Sequence, residues 1–338
     1  MGFAPFKEIT RPFKALLTAR FLGRPFILSH LITRRCNADC PFCLWKGEGE
    51  ELDSGQVRDL YGQAGRSGFL SVVIWGGEPL LREDLGEVLS SAREAGLKTT
   101  VITNGYNLPE RAVEMGPYLD TLLVSLDAPN ESHDTLRRLP GCFRRAVDGM
   151  RSIRADFAGV RPIIISVITR ENLQEVEGLL GFSRKEGLPI IFQAINTLDY
   201  AVSPRPIDPG AVPSQEGQSS AFKLIRHAKN RGFPVVNSYE YLNAFINTNG
   251  HYRCHYKKLV FRVDTNGDVI DCTRPGLVMA NVRERSLREI IGGAGYKDFI
   301  SRAESCALCA DAGTLESSYL WELHPRPLFD ALRFLARG

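Results

Sequence analysis

Short runs of apolar residues alternate with amphipathic stretches along the chain up to Ala194. Each run is nearly continuous in apolar residues, which is typical of parallel strands buried on both faces. The six predicted strands are Phe26–Ile32, Leu70–Trp75, Lys98–Ile102, Thr121–Leu126, Pro162–Ile168 and Pro189–Ala194. The helices predicted between them are Gly55–Arg66, Arg82–Ala95, Leu108–Met115, Gly141–Asp156 and Leu173–Glu186. These successive β/α units indicate an α/β fold, either a doubly wound sheet or an incomplete (β/α) barrel, and periodicity does not distinguish the two.

The pattern changes in the last third of the chain. The stretch Asp199–Gln218 is rich in Pro, Ser and Gly and predicts a linker or long loop, with a helix at Ser219–Asn230 after it. Further on, Leu259–Val263 and Asp268–Cys272 flank Asn266–Gly267. Asn-Gly between two short strand-like runs predicts a β-hairpin. A small module of a hairpin and helices is therefore expected to close the chain.

Both ends of the chain carry apolar residues at helical spacing with basic residues between them. The segment from Phe6 to Phe21 is too charged and too short to span a bilayer, which takes roughly 20 mostly apolar residues. We expect a helix packed on its own domain, with peripheral contact to an anionic membrane surface as the alternative. The predicted domains are an N-terminal amphipathic helix (1–25), the β/α domain (26–240), the C-terminal module (250–320) and an amphipathic tail (321–338).

Composition narrows the classes of function. The chain has 338 residues and a net charge of +3, which is too small to argue for nucleic acid as a partner. Its eight cysteines come with no export signal, so we expect a cytoplasmic protein whose thiols bind metal or act in catalysis. All but Cys142 fall into two groups. We expect Cys142 to serve packing, with hydrogen donation to a substrate radical as the alternative.

The first group is Cys36-Asn-Ala-Asp-Cys40-Pro-Phe-Cys43, directly after the first predicted strand. Three thiolates on one tight loop can ligate three irons of a [4Fe-4S] cube and leave the fourth iron open. A zinc site is the main alternative, although structural zinc usually has four ligands. A chance cluster of buried thiols is the other alternative.

The spacing CxxxCxΦC, with Phe42 as the aromatic Φ, resembles the motif of the radical S-adenosylmethionine (SAM) superfamily. The resemblance runs from about Leu31 to Asn196 and implies a partial (β/α)6 TIM-like barrel. It implies that SAM binds the open iron through its amino and carboxylate groups. Reduction of SAM would then release a 5′-deoxyadenosyl radical, which removes hydrogen from an unreactive C–H bond. An external electron donor such as flavodoxin or ferredoxin is implied as a partner.

The same resemblance implies contacts to SAM at the ends of successive strands. Gly76-Gly77-Glu78-Pro79 resembles the GGEP motif, whose backbone and Glu contact the SAM amino group, and Asn104 follows the third strand. Ser125 and Asp127 resemble the pair that contacts ribose, and Arg137 resembles the arginine that meets the SAM carboxylate. Ser166 and Ile168 resemble the segment near adenine. Each motif alone can be a turn or a helix cap, but their order at strand ends favours a site.

The second group is Cys254, Cys272, Cys306 and Cys309. Four thiolates suit either a [4Fe-4S] cluster or zinc, and spacing does not separate the two. The arrangement resembles twitch, a shortened relative of the SPASM module, and implies one auxiliary [4Fe-4S] cluster that transfers electrons. Full SPASM modules need more cysteines than remain here, so two auxiliary clusters are not expected.

Our leading hypothesis is a radical SAM oxidoreductase that acts on a small molecule. A twitch dehydrogenase of aminocyclitol antibiotic synthesis has a similar cysteine arrangement, which favours two-electron oxidation by analogy. The alternatives are a ribosomal peptide maturase that forms thioether or carbon–carbon crosslinks, an enzyme of lipids or isoprenoids, and a non-catalytic metal-binding scaffold. About thirty residues before Cys36 are too few for a leader-binding module, which counts against the maturase. The candidate substrate contacts are Gln193, Asn196, Asp199, Tyr200, His255 and Tyr256.

Overall fold

The computed structural model describes residues 6–197, 206–247, 252–272, 277–307 and 309–324, with side chains from Lys14 onward. Its strands are β1 (Ile27–Thr33), β2 (Ser71–Gly76), β3 (Lys98–Thr103), β4 (Thr121–Ser125), β5 (Arg161–Ile168), β6 (Ile190–Ala194), β7 (Val260–Val263), β8 (Asp268–Ile270) and β9 (Val278–Asn281). Strands β1 to β7 form one parallel sheet in the order β6-β5-β4-β3-β2-β1-β7. A partial barrel fits this sheet, and the six strands predicted up to Ala194 are confirmed to within one residue at each end.

The helices alternate with these strands through the first six units. They are α1 (Phe6–Leu22), α2 (Ser54–Arg66), α3 (Leu85–Glu94), α4 (Leu108–Met115), α5 (Ser132–Arg137), α6 (Cys142–Asp156), α7 (Val176–Glu186), α8 (Gln215–Asn230), α9 (Tyr239–Ile246), α10 (Tyr256–Leu259), α11 (Leu287–Gly292), α12 (Ala294–Ala303) and α13 (Ala312–Trp321). The helix predicted at Leu173–Glu186 begins as a 3-10 turn, Arg170–Glu175. The predicted linker falls partly outside the described residues, since Asp199 and Tyr200 lie there, and α8 already begins at Gln215.

The two faces of the sheet differ in burial. On the outer face, alternate residues such as Val72, Ile74 and Val124 are fully buried against the helices. On the inner face, their neighbours Val73 and Trp75 are only partly buried. A filled outer core beside a less filled inner face is typical of an open barrel, whose inner wall and strand ends line the ligand site.

The predicted pairing of the C-terminal hairpin is wrong. Asn266–Gly267 does form a tight turn, in which the Gly267 N–H donates to the Asp264 carbonyl at 3.0 Å. However, β7 pairs in parallel with β1, and β8 pairs antiparallel with β9. The reason is that β7 is apolar on its outer face: Phe261 and Val263 are buried in the helix-covered core. Joining the free edge of β1 buries that face, which a two-stranded hairpin would leave exposed.

The N-terminal helix packs on its own domain, as expected. Leu16 and Ala19 are buried against Phe26, Leu259 and Val260. Burial of one leucine side chain contributes roughly 2 kcal/mol. The last turn of α1 stays exposed, with Phe21 78% accessible. None of the described helices is long and apolar enough to cross a bilayer. Of the predicted C-terminal tail, residues 325–338 lie outside the described residues.

Candidate functional site

The first cysteine group lies in the loop that follows β1. Cys36, Cys40 and Cys43 pack together with Phe42 and Cys142 in one small cluster at the carboxyl end of the sheet. The loop is held by backbone bonds: the Cys43 N–H donates to the Cys40 carbonyl at 3.2 Å. The three thiols that were predicted to act together are therefore gathered in one place.

Burial dominates the chemistry of these thiols. It raises the pKa of Cys36 to about 12 and that of Cys40 to about 11, and the nearby Arg137 guanidinium opposes the rise for Cys40. Iron binding needs thiolates, so the positive charge of the metal must offset this desolvation. Among the described residues, no three ligand side chains are close enough to hold a single metal ion. In a cube each thiolate binds a different iron, so the three-thiol loop fits a [4Fe-4S] cluster.

Gly76-Gly77-Glu78-Pro79, at the end of β2, packs against the backbone that leads into the cysteine loop. A Cβ on Gly76 would overlap the Thr33 carbonyl oxygen, and one on Gly77 would overlap the carbonyl oxygens of Arg34 and Arg35. Gly76 also has a φ of +150°, which favours glycine. The sequence therefore uses two glycines because the end of β2 must touch the start of the cysteine loop.

Glu78 is fully buried, and its carboxylate is used within the protein. Oε1 accepts from the Leu80 N–H at 2.9 Å and from the Thr103 hydroxyl at 2.7 Å, and Oε2 accepts from the Asn104 N–H at 2.7 Å. Burial raises its pKa. Pro79 follows as the first residue of a 3-10 turn. Glu78 therefore fixes the end of β3 against the end of β2.

Asn104 links the end of β3 to the cysteine loop. Its side-chain Nδ2 donates to Asn37 Oδ1 at 2.7 Å, and Asn37 directly follows Cys36. Its backbone carbonyl oxygen accepts from the Cys142 thiol at 3.4 Å. Burial raises the pKa of Cys142 to about 12, so this residue stays a protonated thiol.

The residues assigned to ribose and to the SAM carboxylate lie together. Arg137 contacts Asp127 through Nε and Nη2, both 2.7 Å from Oδ2, and Asp127 is fully buried. The other oxygen, Oδ1, accepts from the Val167 N–H at 3.0 Å and contacts the Ser166 hydroxyl at 3.5 Å. The Arg137 guanidinium also lies over the Phe42 ring, with Cζ 5.5 Å from its centroid.

Ser125 and Ile168 occupy different faces of the sheet. Ser125 ends β4 and is partly buried on the inner face. The side chain of Ile168 is fully buried in the outer core, so we expect only its backbone to be available to a ligand.

The second cysteine group gathers in the C-terminal module. The Cys254 N–H donates to the Cys306 carbonyl at 3.1 Å, and the Tyr252 hydroxyl donates to the Cys309 carbonyl at 3.0 Å. Burial raises the pKa of Cys254 to about 11, with the Cys272 and Cys306 thiols close enough to add to the rise. Asp271, next to Cys272, forms an ion pair with Arg302 of α12. These contacts bring all four cysteines to one region, a donor set that fits a cluster held by four thiolates.

The candidate substrate contacts that the structure describes lie in two different regions. Gln193 lies partly buried on the inner face at the end of β6, with Asn196 shortly after it. His255 instead faces α13, where it stacks on Trp321 and contacts Glu322 at 3.3 Å. Sequence patterns missed Trp75 and Arg262 of the inner face and Trp45 of the cysteine loop, which come together from distant segments. Only the pairing of β7 with β1 could have indicated this cluster.

Two family models match the chain. The Radical SAM superfamily model matches residues 31–182, and the SPASM iron–sulfur cluster-binding domain model matches residues 254–311. Together they cover both cysteine groups and every strand from β1 to β5 except the first four residues of β1.

Curated relatives are similar to parts of the chain. An Fe-coproporphyrin III synthase of Methanosarcina barkeri is 27% identical over 47% of this chain and 41% of that protein. An AdoMet-dependent heme synthase of the same organism is 29% identical over 48% of each. This chain thus spans less than half the length of these two relatives. A probable GTP 3′,8-cyclase of Methanosarcina acetivorans is 27% identical over 77% of this chain and 81% of that protein.

Solved structures share the fold. Streptococcus suis SuiB bound to precursor peptide SuiA superposes with a TM-score of 0.68 at 17% identity, covering 90% of this chain and 74% of that one. The enzyme anSMEcpe, with bound AdoMet and a peptide, gives 0.61 at 16% identity, covering 93% of this chain and 99% of that one. The cofactors of this protein are accordingly SAM, a [4Fe-4S] cluster of the radical SAM type and an auxiliary iron–sulfur cluster. The chain belongs to the radical SAM superfamily and carries a C-terminal SPASM domain.

Proposed function

We propose that this protein is a radical SAM oxidoreductase that removes hydrogen from an unactivated C–H bond of a small molecule and uses its auxiliary cluster for electron transfer. The observation that carries the proposal is that the cysteines divide into a group of three and a group of four, in segments connected to the paired strands β1 and β7. Three cysteines follow β1, whereas Cys254 precedes β7, Cys272 follows β8, and Cys306 and Cys309 follow α12. Because β7 pairs with β1, the module that carries the second group is joined to the strand that leads into the first group.

A buried ion pair supports this arrangement. Arg34, directly after β1, and Asp264, directly after β7, contact each other at 2.6 Å through Nη2 and Oδ2. The contact joins the start of the cysteine loop to the turn that leads toward Cys272. A fixed separation between two redox centres would suit electron transfer, because the rate depends on their distance.

Cys36, Cys40 and Cys43 would hold the SAM-binding cluster, and Cys254, Cys272, Cys306 and Cys309 the auxiliary cluster. When bound, the reduced cluster and SAM supply the 5′-deoxyadenosyl radical that abstracts hydrogen. The chain's own residues orient SAM. The ion pair with Asp127 uses Nε and Nη2 of Arg137, which leaves Nη1 to meet the SAM carboxylate. Ser125 would contact ribose from the inner face.

Peptide maturation is the second candidate. SuiB and anSMEcpe are both described with bound peptides, and this chain covers at least 74% of each. Their identity to this chain is below 20%, so the likeness bears on the fold. We favour a small molecule, with flavodoxin or ferredoxin as the electron donor.

Counting iron and sulfide in anaerobically reconstituted protein tests the proposal. We expect about eight irons in the wild type and about four in the Cys36/Cys40/Cys43 triple-Ala variant. The matched control replaces the four cysteines of the second group, which should also leave about four irons. With dithionite and SAM, only proteins that keep the first group should form 5′-deoxyadenosine. Absence of 5′-deoxyadenosine from wild type with a reducible first cluster would favour a non-catalytic scaffold.

A further inference from the structure

Arg262 stands on the inner face of β7. Its strand neighbours Phe261 and Val263 are buried in the outer core, so the side chain between them points the other way. In the parallel pairing with β1, Arg262 lies opposite Ser29. The arginine is therefore part of the inner wall of the barrel.

Two tryptophans flank its guanidinium. The Arg262 Cζ atom lies 4.6 Å from the centroid of the Trp45 ring and 4.9 Å from that of the Trp75 ring. The two rings are perpendicular to each other, with centroids 5.0 Å apart. Trp75 is fixed in turn, because its Nε1 donates to the Ser29 hydroxyl at 2.8 Å. Aromatic rings attract a cation but supply no hydrogen-bond acceptor in its plane.

The guanidinium lacks the carboxylate partner that other interior arginines have. Arg34 pairs with Asp264, Arg82 with Asp84, and Arg137 with Asp127. Arg262 has no ion pair among the described residues, and its Nη2 atom is buried without a hydrogen-bond partner there. An arginine donor shut off from water and left unpaired is costly, so the site is built for an acceptor that binds later.

The position of this cluster relates it to the reaction. Trp45 follows Cys43 by two residues, and its N–H lies 3.4 Å from the Cys43 Sγ atom. Trp75 directly precedes Gly76. The Arg262 guanidinium therefore lies beside the residues proposed to hold the SAM-binding cluster, where a substrate must come to meet the radical.

We infer that Arg262, held between Trp45 and Trp75, binds a carboxylate group of the substrate. The inference rests on the proposed function, since it assigns the class of substrate for that site. One unpaired cation matches one monoanion. The inner face carries uncharged residues on the neighbouring strands: Ser29 on β1, Val73 on β2, Ile102 on β3 and Leu123 on β4. A phosphate dianion would keep an uncompensated charge against them, whereas a carboxylate fits the planar fork of arginine.

Calorimetric titration of the anaerobic holoprotein with SAM present tests this inference. The probes are benzoate, its neutral counterpart benzamide, and phenyl phosphate. We expect wild-type protein to bind benzoate at least about tenfold more tightly than benzamide. Arg262→Met should abolish that preference, and Arg262→Lys should keep part of it. Arg58→Met is the matched control and should keep all of it, because Arg58 pairs with Glu87 on the outer surface.

Several results would overturn the inference. They are equal binding of benzoate and benzamide by the wild type, no saturable benzoate binding up to about 10 mM, tighter binding of phenyl phosphate, and a carboxylate preference that persists in Arg262→Met. If Arg262→Met weakens SAM as much as benzoate, the arginine serves SAM, and the substrate assignment is wrong. Formation of 5′-deoxyadenosine by the wild type reports separately on the proposed function, so the two ideas can fail independently.

Discussion

The Arg137 guanidinium and the Asp127 carboxylate form a buried ion pair, with Nε and Nη2 of Arg137 each 2.7 Å from Oδ2 of Asp127. The pair joins two residues that the motifs assign to different parts of SAM. Asp127 also accepts from the backbone of β5, so its carboxylate holds α5 and β5 in place. The side chains proposed to recognise SAM therefore also stabilise the local structure.

Asp127→Asn should destabilise the protein by about 3 kcal/mol, because it leaves the Arg137 charge buried without its counter-ion. SAM binding should weaken with it, since Arg137 loses its fixed orientation. Anaerobic thermal unfolding and equilibrium dialysis with SAM measure the two effects. Asp148→Asn is the control, because Asp148 belongs to an exposed pair with Arg151. Wild-type stability and SAM affinity in Asp127→Asn would contradict this account of the pair.

Glu78→Gln should lower stability by about 1–3 kcal/mol and weaken SAM binding. The amide replaces one acceptor oxygen with a donor, which must then face the Asn104 N–H or the donors at Oε1. The ends of β2 and β3 would separate as a result. Glu87→Gln changes an exposed glutamate and should have little effect. Equal SAM dissociation constants for Glu78→Gln and wild type would show that the turn does not depend on this carboxylate.

Gly77→Ala should reduce iron at the first site and leave the auxiliary site loaded. The added methyl group would overlap the backbone of Arg34 and Arg35 and push the cysteine loop off the end of β2. Gly181→Ala is a matched control in α7, where a Cβ meets nothing within 4 Å. Iron analysis distinguishes the variants, with about four irons expected for Gly77→Ala and about eight for Gly181→Ala. Full iron loading of Gly77→Ala would be inconsistent with the proposed support of the loop.

Glu316 should make stability depend on pH. Burial raises its pKa from 4.5 to about 7, with Lys229 opposing and Glu240 adding to the rise. The folded state then binds a proton that the unfolded state has lost, so this contribution falls as pH rises from about 4.5 and is lost above about 7. Glu316→Gln should remove up to about 3 kcal/mol of this pH-dependent change in the free energy of unfolding. Unfolding midpoints of both proteins between these pH values measure it, and parallel curves would refute the assignment.

The sequence predicted what depends on local pattern. The strands from β1 to β6 were placed because each is a short apolar run, and the cysteine groups because their spacing is distinctive. The pairing of β7 was missed because Asn266–Gly267 gives a strong local hairpin signal. The choice of β1 as partner depends instead on a contact between residues such as Ser29 and Arg262, far apart in the chain.

The contact of Arg262 with Trp45 and Trp75 was missed for the same reason. Trp45, Trp75 and Arg262 belong to a loop and two strands, and none of them stands in a motif that marks it as functional. Likewise, sequence suggested that His255 contacts substrate, whereas packing turns its ring onto Trp321. The directions of the Arg262 and His255 side chains follow from tertiary packing, which no window of sequence contains.

The cluster on Cys36, Cys40 and Cys43 should keep one iron for SAM although a fourth thiol, Cys142, packs beside it. Electron–nuclear double resonance of dithionite-reduced protein, with SAM isotopically labelled in its carboxylate, tests this directly. We predict magnetic coupling of the label to the first cluster in wild type and the same coupling in Cys142→Ala. A reduced first cluster that shows no coupling in wild type but gains it in Cys142→Ala would mean that the thiol occupies that iron, and would contradict the account.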